Sequence, residues 1–162
     1  MNEISELPDR INSILQNEKD MEKGTHLAIE EIANSFKAKT CTLHRAIKIK
    51  GNDFLELRSQ RGLPPHIAEI AKLIPFGKGM AGICAERQET VTMCNLQTDE
   101  SGVARPAARD TKVEGAVVVP LISKDNSVQA TLGIGNDKEY NYSENEIQIL
   151  KECATLLIST FY

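Results

Sequence analysis

Ile4, Leu7, Ile11, Ile14 and Leu15 recur at spacings of three, four, three and one, which lays a narrow apolar stripe along a helix over residues 4–18. A second helix is predicted over about 20–37. Asp20 is placed to cap its start, and Ala28, Ile29, Ile32, Ala33 and Phe36 keep the helical repeat although Gly24 weakens the first turn. Lys23 stands where a capping box would carry Glu or Gln, so no reciprocal box forms there. The period then changes. Residues 40–49 are rich in β-favouring side chains, Gly51-Asn52-Asp53 supplies a turn, and Phe54 to Arg58 resumes the pattern, which predicts a β-hairpin. Residues 65–73 read as a short helix with proline at its start, 79–87 as another, and Thr90 to Met93 as a strand. Ala116 to Ile122 is apolar on both alternating faces, as in a strand covered on both sides, with Pro120 pushing its end towards an edge or bulge. After a turn at 123–127, Val128, Ala130, Leu132 and Ile134 share one strand face. Gln129, Thr131, Gly133 and Gly135 occupy the other, which is polar and lacks bulk. Ser143 and Glu146 make a capping box for a closing helix on which Ile147, Leu150, Cys153, Ala154, Leu157 and Phe161 recur at helical spacing.

Helices, hairpins and a closing helix in this order predict an α+β domain, an antiparallel sheet with helices on both faces. The 162 residues suffice for one domain with a substantial core. A net charge of −4 disfavours nucleic acid as the main partner, since phosphate backbones are held by Lys and Arg. Apolar runs fall well short of the roughly 20 residues that a membrane helix needs. The acidic start, Met1-Asn2-Glu3-Ile4-Ser5-Glu6, is unlike a secretory signal, so the expected setting is the cytoplasm, with neither membrane nor nucleic acid as partner. Cys41, Cys84, Cys94 and Cys153 form no CxxC pair and are expected as free thiols, with no zinc pattern and no other metal site.

Chemistry concentrates between residues 77 and 114. Gly77-Lys78-Gly79 lacks the spacing and the Lys-Ser or Lys-Thr ending of a phosphate-binding loop, and reads as a tight turn feeding a helix. Residues 94–115 form a polar connection of a length that is usually functional or disordered. Within it Arg105 and Arg109, four apart, share a face if the segment is helical, and guanidinium groups suit carboxylate or phosphate. One of them is expected to contact an anionic ligand. Cys84 falls on one helical face with Met80 and Ile83, where free cysteine behaves as a small hydrophobe, yet Cys84 and Cys94 remain candidates for redox sensing.

Four stretches in order, IPFGKGMAGICAERQE, GAVVVPLI, ATLGIGN and YSENEIQILKECATLL, make the chain resemble a GAF domain over about residues 20–160. The resemblance implies a three-layer α/β/α fold with a sheet of about five or six strands, a GAF domain at 20–162 and an added helix at 1–19. It places the terminal helices on one side of the sheet, and on the other a pocket closed by the short helices and the polar loop. Met93, Asn95, Arg105, Arg109, Val118, Gln129 and Thr131 are the ligand-binding residues expected there, because strand ends, loop and the less bulky strand face converge on such a pocket.

GAF domains bind cyclic nucleotides, tetrapyrroles, haem and small metabolites, so the fold leaves the ligand and any cofactor unknown. The cyclic-nucleotide pattern survives only as Asn136, Lys138, Tyr142 and Glu144, interrupted by Asn145. Neither Cys84 nor Cys94 precedes the histidine that bilin attachment looks for, and His26, His44 and His66 stand alone as haem ligands. Free methionine-(R)-sulfoxide reductases are GAF-type enzymes, but this chain has Ala81 where that family carries a cysteine and has none among residues 102–114. The expectation is a sensory or regulatory domain rather than an enzyme. It would bind an unidentified small molecule, anionic if an arginine contacts it, and signal as a homodimer through its terminal helices or through a separate output protein, the chain ending without one. The alternatives are a thiol redox sensor or reductase-like enzyme, and a structural dimerisation module with no ligand.

Overall fold

The computed structural model describes residues 3–161. The outermost residues of the expected 1–19 and 20–162 segments, Met1, Asn2 and Tyr162, lie outside the described residues. β1 (Thr40–Ile49) and β2 (Asn52–Arg61) form the predicted hairpin, but its turn is Lys50-Gly51 rather than Gly51-Asn52-Asp53. Both turn residues have positive φ, 51° and 83°, the geometry whose twist matches that of the flanking strands. Asn52 and Asp53 then join the ladder opposite Ile49 and Lys48.

α3 (Pro65–Ala71) stops short of the predicted residue 73, because Leu73 and Ile74 leave it to pair with Glu56 and Leu55 as β3 (Leu73–Pro75). A residue before proline favours extended backbone, and Ile74 precedes Pro75. α4 (Gly79–Arg87) leads to β4 (Val91–Met93), and β5 (Ala116–Ile122) and β6 (Val128–Gly135) form the second hairpin. All six strands join one antiparallel sheet in the order β3-β2-β1-β6-β5-β4. β4 covers only Ala116 to Val118, so Pro120 sits where β5 has become an edge, as its missing N–H requires.

One face of the sheet carries α1 (Leu7–Asn17), α2 (Met21–Ser35) and α5 (Glu144–Leu157). Ile29 and Ile32 from α2, Leu43, Val119 and Leu132 from the strands, and Leu150 and Leu157 from α5 are fully or almost fully buried in this main core. Leu7 and Ile11 of α1 are buried in the same cluster, whereas Ile14 and Leu15 are half-buried. α1 begins three residues later than its stripe, after a 3-10 turn at Glu3–Glu6, because Pro8 fits only the first turn of an α-helix. On α5 the buried line runs through Ile149, with Ile147 only partly covered. Asp20 caps α2 by accepting from the N–H groups of Glu22 (3.1 Å) and Lys23 (3.2 Å), and the Ser143–Glu146 capping box is formed in both directions.

The opposite face carries α3, α4 and residues 94–115. Beneath them lie two smaller clusters, one around Leu55, Ile74 and Ala85, the other around Met93, Leu96, Val113 and Ala116. Alternation on β6 holds for Ala130, Leu132 and Ile134 but breaks at Val128, which packs against the Leu55 cluster. The ladder slips between Leu121 and Ile122, and this bulge turns Val128 to the other side.

Candidate functional site

Two neighbouring cavities on the face away from the main core are walled by the 94–115 loop. The first, about 150 Å³, is lined by Ile67, Ile70 and Ala71 of α3, Ile74 of β3, Gly79, Met80 and Ala81 at the start of α4, and Leu96, Ala104, Ala107 and Ala108 from the loop, with Lys78 and Arg105 its cationic members. The second, about 120 Å³, has Thr40, Thr42, Val118, Gly133 and Gly135 from the sheet and Leu96, Ala108, Thr111 and Val113 from the loop. Leu96 and Ala108 line both, so the two cavities adjoin as two lobes on either side of them. An apolar cavity of about 150 Å³ is large enough for a benzene-sized molecule.

Local chemistry shapes both lobes. Gly77 and Gly79 adopt positive φ, 88° and 67°, and the Lys78 N–H donates to the Pro75 carbonyl at 3.2 Å. This is the tight turn the sequence implies, and it opens α4 onto the first lobe. A Cβ on Gly79 would stand 3.1 Å from Cδ of Arg105, so glycine lets that side chain lie across the helix start. In the second lobe a Cβ on Gly135 would come within 2.6 Å of Val113, so the bare strand is what lets the loop descend.

The loop is held by its own polar groups. Gln97 Nε2 donates to the carbonyls of Arg109 (3.1 Å) and Val113 (2.7 Å), and the Leu96 N–H donates to the Glu114 carbonyl at 2.6 Å. Residues Pro106–Thr111 form a 3-10 helix, with Arg105 extended ahead of it. Residues four apart do not align on such a helix, so Arg105 and Arg109 do not share a face. Arg105 enters the first lobe, while Arg109 is exposed and donates to the Asp99 carbonyl at 2.9 Å.

The other expected site residues divide similarly. Val118 lines the second lobe, and Met93 is buried beside it against Leu96, Val113 and Ala116. Asn95 is outside both lobes. Its Nδ2 donates to Glu139 at 2.8 Å and Glu114 at 3.3 Å, and it lines a separate surface cleft with Cys94, Asp99 and Glu100. Gln129 is half-buried beside the bulge. Cys84 is fully buried, with Sγ 3.6 Å from the Val118 carbonyl that it faces as donor, and burial pushes its thiol up to about 12. A thiol so placed stays protonated at neutral pH and is a poor nucleophile. Cys94 is exposed in the Asn95 cleft. Among the described residues, no group of three or more His, Cys, Asp or Glu is placed to hold a metal ion, and no helix is long and apolar enough to cross a membrane.

Sequence reasoning missed the β1 side of the site. Thr40, Thr42 and His44 alternate with Cys41 and Leu43 of the main core, a signal that reading 40–49 only as a hairpin overlooks. His44 is 2% exposed and its Nε2 lies 2.8 Å from the Ala71 carbonyl. A carbonyl only accepts, so Nε2 carries the proton and Nδ1 is left as a bare acceptor. Burial pushes the imidazole pKa down to about 4, against the opposing pull of the Ala71 carbonyl. His44 stands directly opposite Thr131 in the ladder, and Thr131, the last of the expected site residues, is 1% exposed. His44 Nδ1 and Thr131 Oγ1 are both buried without a hydrogen-bond partner, a deficit that costs about 1–3 kcal/mol for each group.

A sequence model of the GAF domain family matches residues 19–158. No curated protein matches the chain. Among solved structures, the free methionine-R-sulfoxide reductase of Neisseria meningitidis, in complex with its substrate, is 20% identical at a TM-score of 0.77, over 98% of this chain and 87% of that one. The GAF domain of a phosphoenolpyruvate-protein phosphotransferase from Coxiella burnetii is 18% identical at a TM-score of 0.76, over 97% and 89%. The substrate complex of fRMsr from Staphylococcus aureus is 17% identical at 0.74, over 100% and 97%. At such identities the likeness is one of fold.

Proposed function

The chain belongs to the GAF domain family, and from that premise we propose that it is a sensory or regulatory domain whose signal is a small, largely apolar carboxylate held in the first lobe. The observation that carries this reading is the pairing of an apolar cavity with two cationic side chains that make no ion pair or hydrogen bond among the described residues. These are Arg105, half-buried, and Lys78, exposed. A guanidinium takes a carboxylate through two parallel hydrogen bonds, and isoleucine, methionine and alanine side chains receive the body.

The test is calorimetric titration with 3-methylbutanoate and benzoate. Arg105→Ala is expected to weaken both by about tenfold, equivalent to about 1.4 kcal/mol. Lys78→Ala should cost less, and Arg109→Ala should change nothing, because that guanidinium is engaged with Asp99. Equal affinities for wild type, Arg105→Ala and Lys78→Ala would remove the proposal.

We do not assign the reductase chemistry of the two enzyme structures to this chain. Ala81 brings no sulfur to the start of α4, and Cys84 is buried as a protonated thiol. Free cysteines suit a reducing cytoplasm, where we place the domain. For output we propose a second copy of the chain, or a separate output protein, meeting the layer of α1, α2 and α5. Leu27 and Met21 of α2 are the large apolar side chains exposed there, at 41% and 43%. Sedimentation at micromolar concentration should show a dimer, and a monomer with and without 3-methylbutanoate would leave only the separate partner.

A further inference from the structure

We propose that His44 and Thr131, a buried polar pair on the sheet face that carries α3 and α4, take a primary amide or lactam edge of the ligand. The inference rests on the reading that this face binds a small molecule, and it is independent of the carboxylate at Arg105. The two unpartnered atoms are a fixed acceptor and a hydroxyl: Nδ1 of His44 is a bare lone pair because Nε2 is committed to Ala71, and Thr131 Oγ1 has a proton to give. The two do not satisfy each other, although they are directly opposed across β1 and β6.

Their complement is a neutral group with one donor and one acceptor side by side. An amide has that edge, its N–H going to Nδ1 and its C=O accepting from the Thr131 hydroxyl. A carboxylate lacks the donor and an ammonium lacks the acceptor, so either would leave one atom unpaired.

Position agrees with this chemistry. One cross-strand step along the same face lies the Thr42–Gly133 pair, which lines the second lobe. On the other side His44 reaches Ala71, which lines the first lobe. The pair therefore adjoins residues of both lobes without itself lining either, its two polar atoms closed off beneath them. A buried polar pair left unmatched in a folded protein is costly, and its retention is explained when a ligand completes it.

The experiment uses two probes of the same branched body, 3-methylbutanamide and 3-methylbutanoate, with the imidazole nitrogens of His44 followed by 15N NMR. Saturable binding of the amide should move the Nδ1 resonance upfield as that nitrogen accepts a hydrogen bond. Thr131→Val should weaken the amide about tenfold and leave 3-methylbutanoate unchanged. Without probe, the same variant should melt no lower than wild type, because it removes an unpaired hydroxyl, so loss of affinity cannot be ascribed to misfolding.

An unmoved Nδ1, or equal amide affinity in Thr131→Val, overturns the amide proposal even when the carboxylate still binds. So does an Nδ1 already shifted as a hydrogen-bonded acceptor in the probe-free protein and indifferent to the amide, the mark of a buried water alone. Failure of both probes would overturn the carboxylate reading as well.

Discussion

Acidification from pH 7 to pH 4 is expected to remove about 3 kcal/mol of unfolding free energy through His44 alone. In the unfolded chain this imidazole takes a proton near its ordinary 6.5, but in the fold burial holds its pKa down to about 4. Between those values the unfolded state binds more protons than the native state, so stability is whole above about pH 6.5 and drains away as the pH falls towards 4. Urea denaturation of wild type and His44→Gln at several pH values isolates this contribution, since carboxylates titrate alike in both. The wild-type curve should fall more steeply by up to about 1.4 kcal/mol for each pH unit in that window. Parallel curves would mean that His44 is not held neutral in the fold.

Leu132→Ala is expected to cost about 2–5 kcal/mol. Leu132 lies on β6 in the middle of the sheet, directly between Leu43 and Val119, and all three are fully buried under α1, α2 and α5. Truncation there empties a space that two packed layers cannot collapse to fill. Guanidinium denaturation should show a lower midpoint with an unchanged slope, and the folded variant should bind 3-methylbutanoate as wild type does. A loss below about 1 kcal/mol would show that this face is not the scaffold. Leu132 and Thr131 are neighbours in the chain, yet the first is expected to govern stability and the second, with its orphan hydroxyl, ligand choice.

Much of this division was legible beforehand. Alternation placed Ala130, Leu132 and Ile134 apart from Thr131, Gly133 and Gly135, and the Ser143–Glu146 box marked the start of α5 to the residue. Long, regular patterns carry such information because a single backbone geometry repeats along them. The misplacements occur where the geometry changes within a residue or two. Lys50 adopts a positive φ that side chains other than glycine seldom choose, and a single bulge turns Val128 over. Arg105 and Arg109 were paired by assuming α-helical spacing in a segment that winds as a 3-10 helix. His44 carried no signal as an isolated histidine. Its meaning comes from Thr131, far away in sequence, and no local pattern reports a partner across the sheet.

The sheet ends at both margins in strands of three residues, and two prolines stand along these margins, Pro75 on β3 and Pro120 on the part of β5 beyond β4. A foreign strand zipping onto β3, or onto β5 beyond β4, meets a gap in the donor row at the proline. Crowding should therefore not drive fibre growth through these two stretches. Helix surfaces carry no such row of backbone donors, and association through them would be reversible and open to control by a signal.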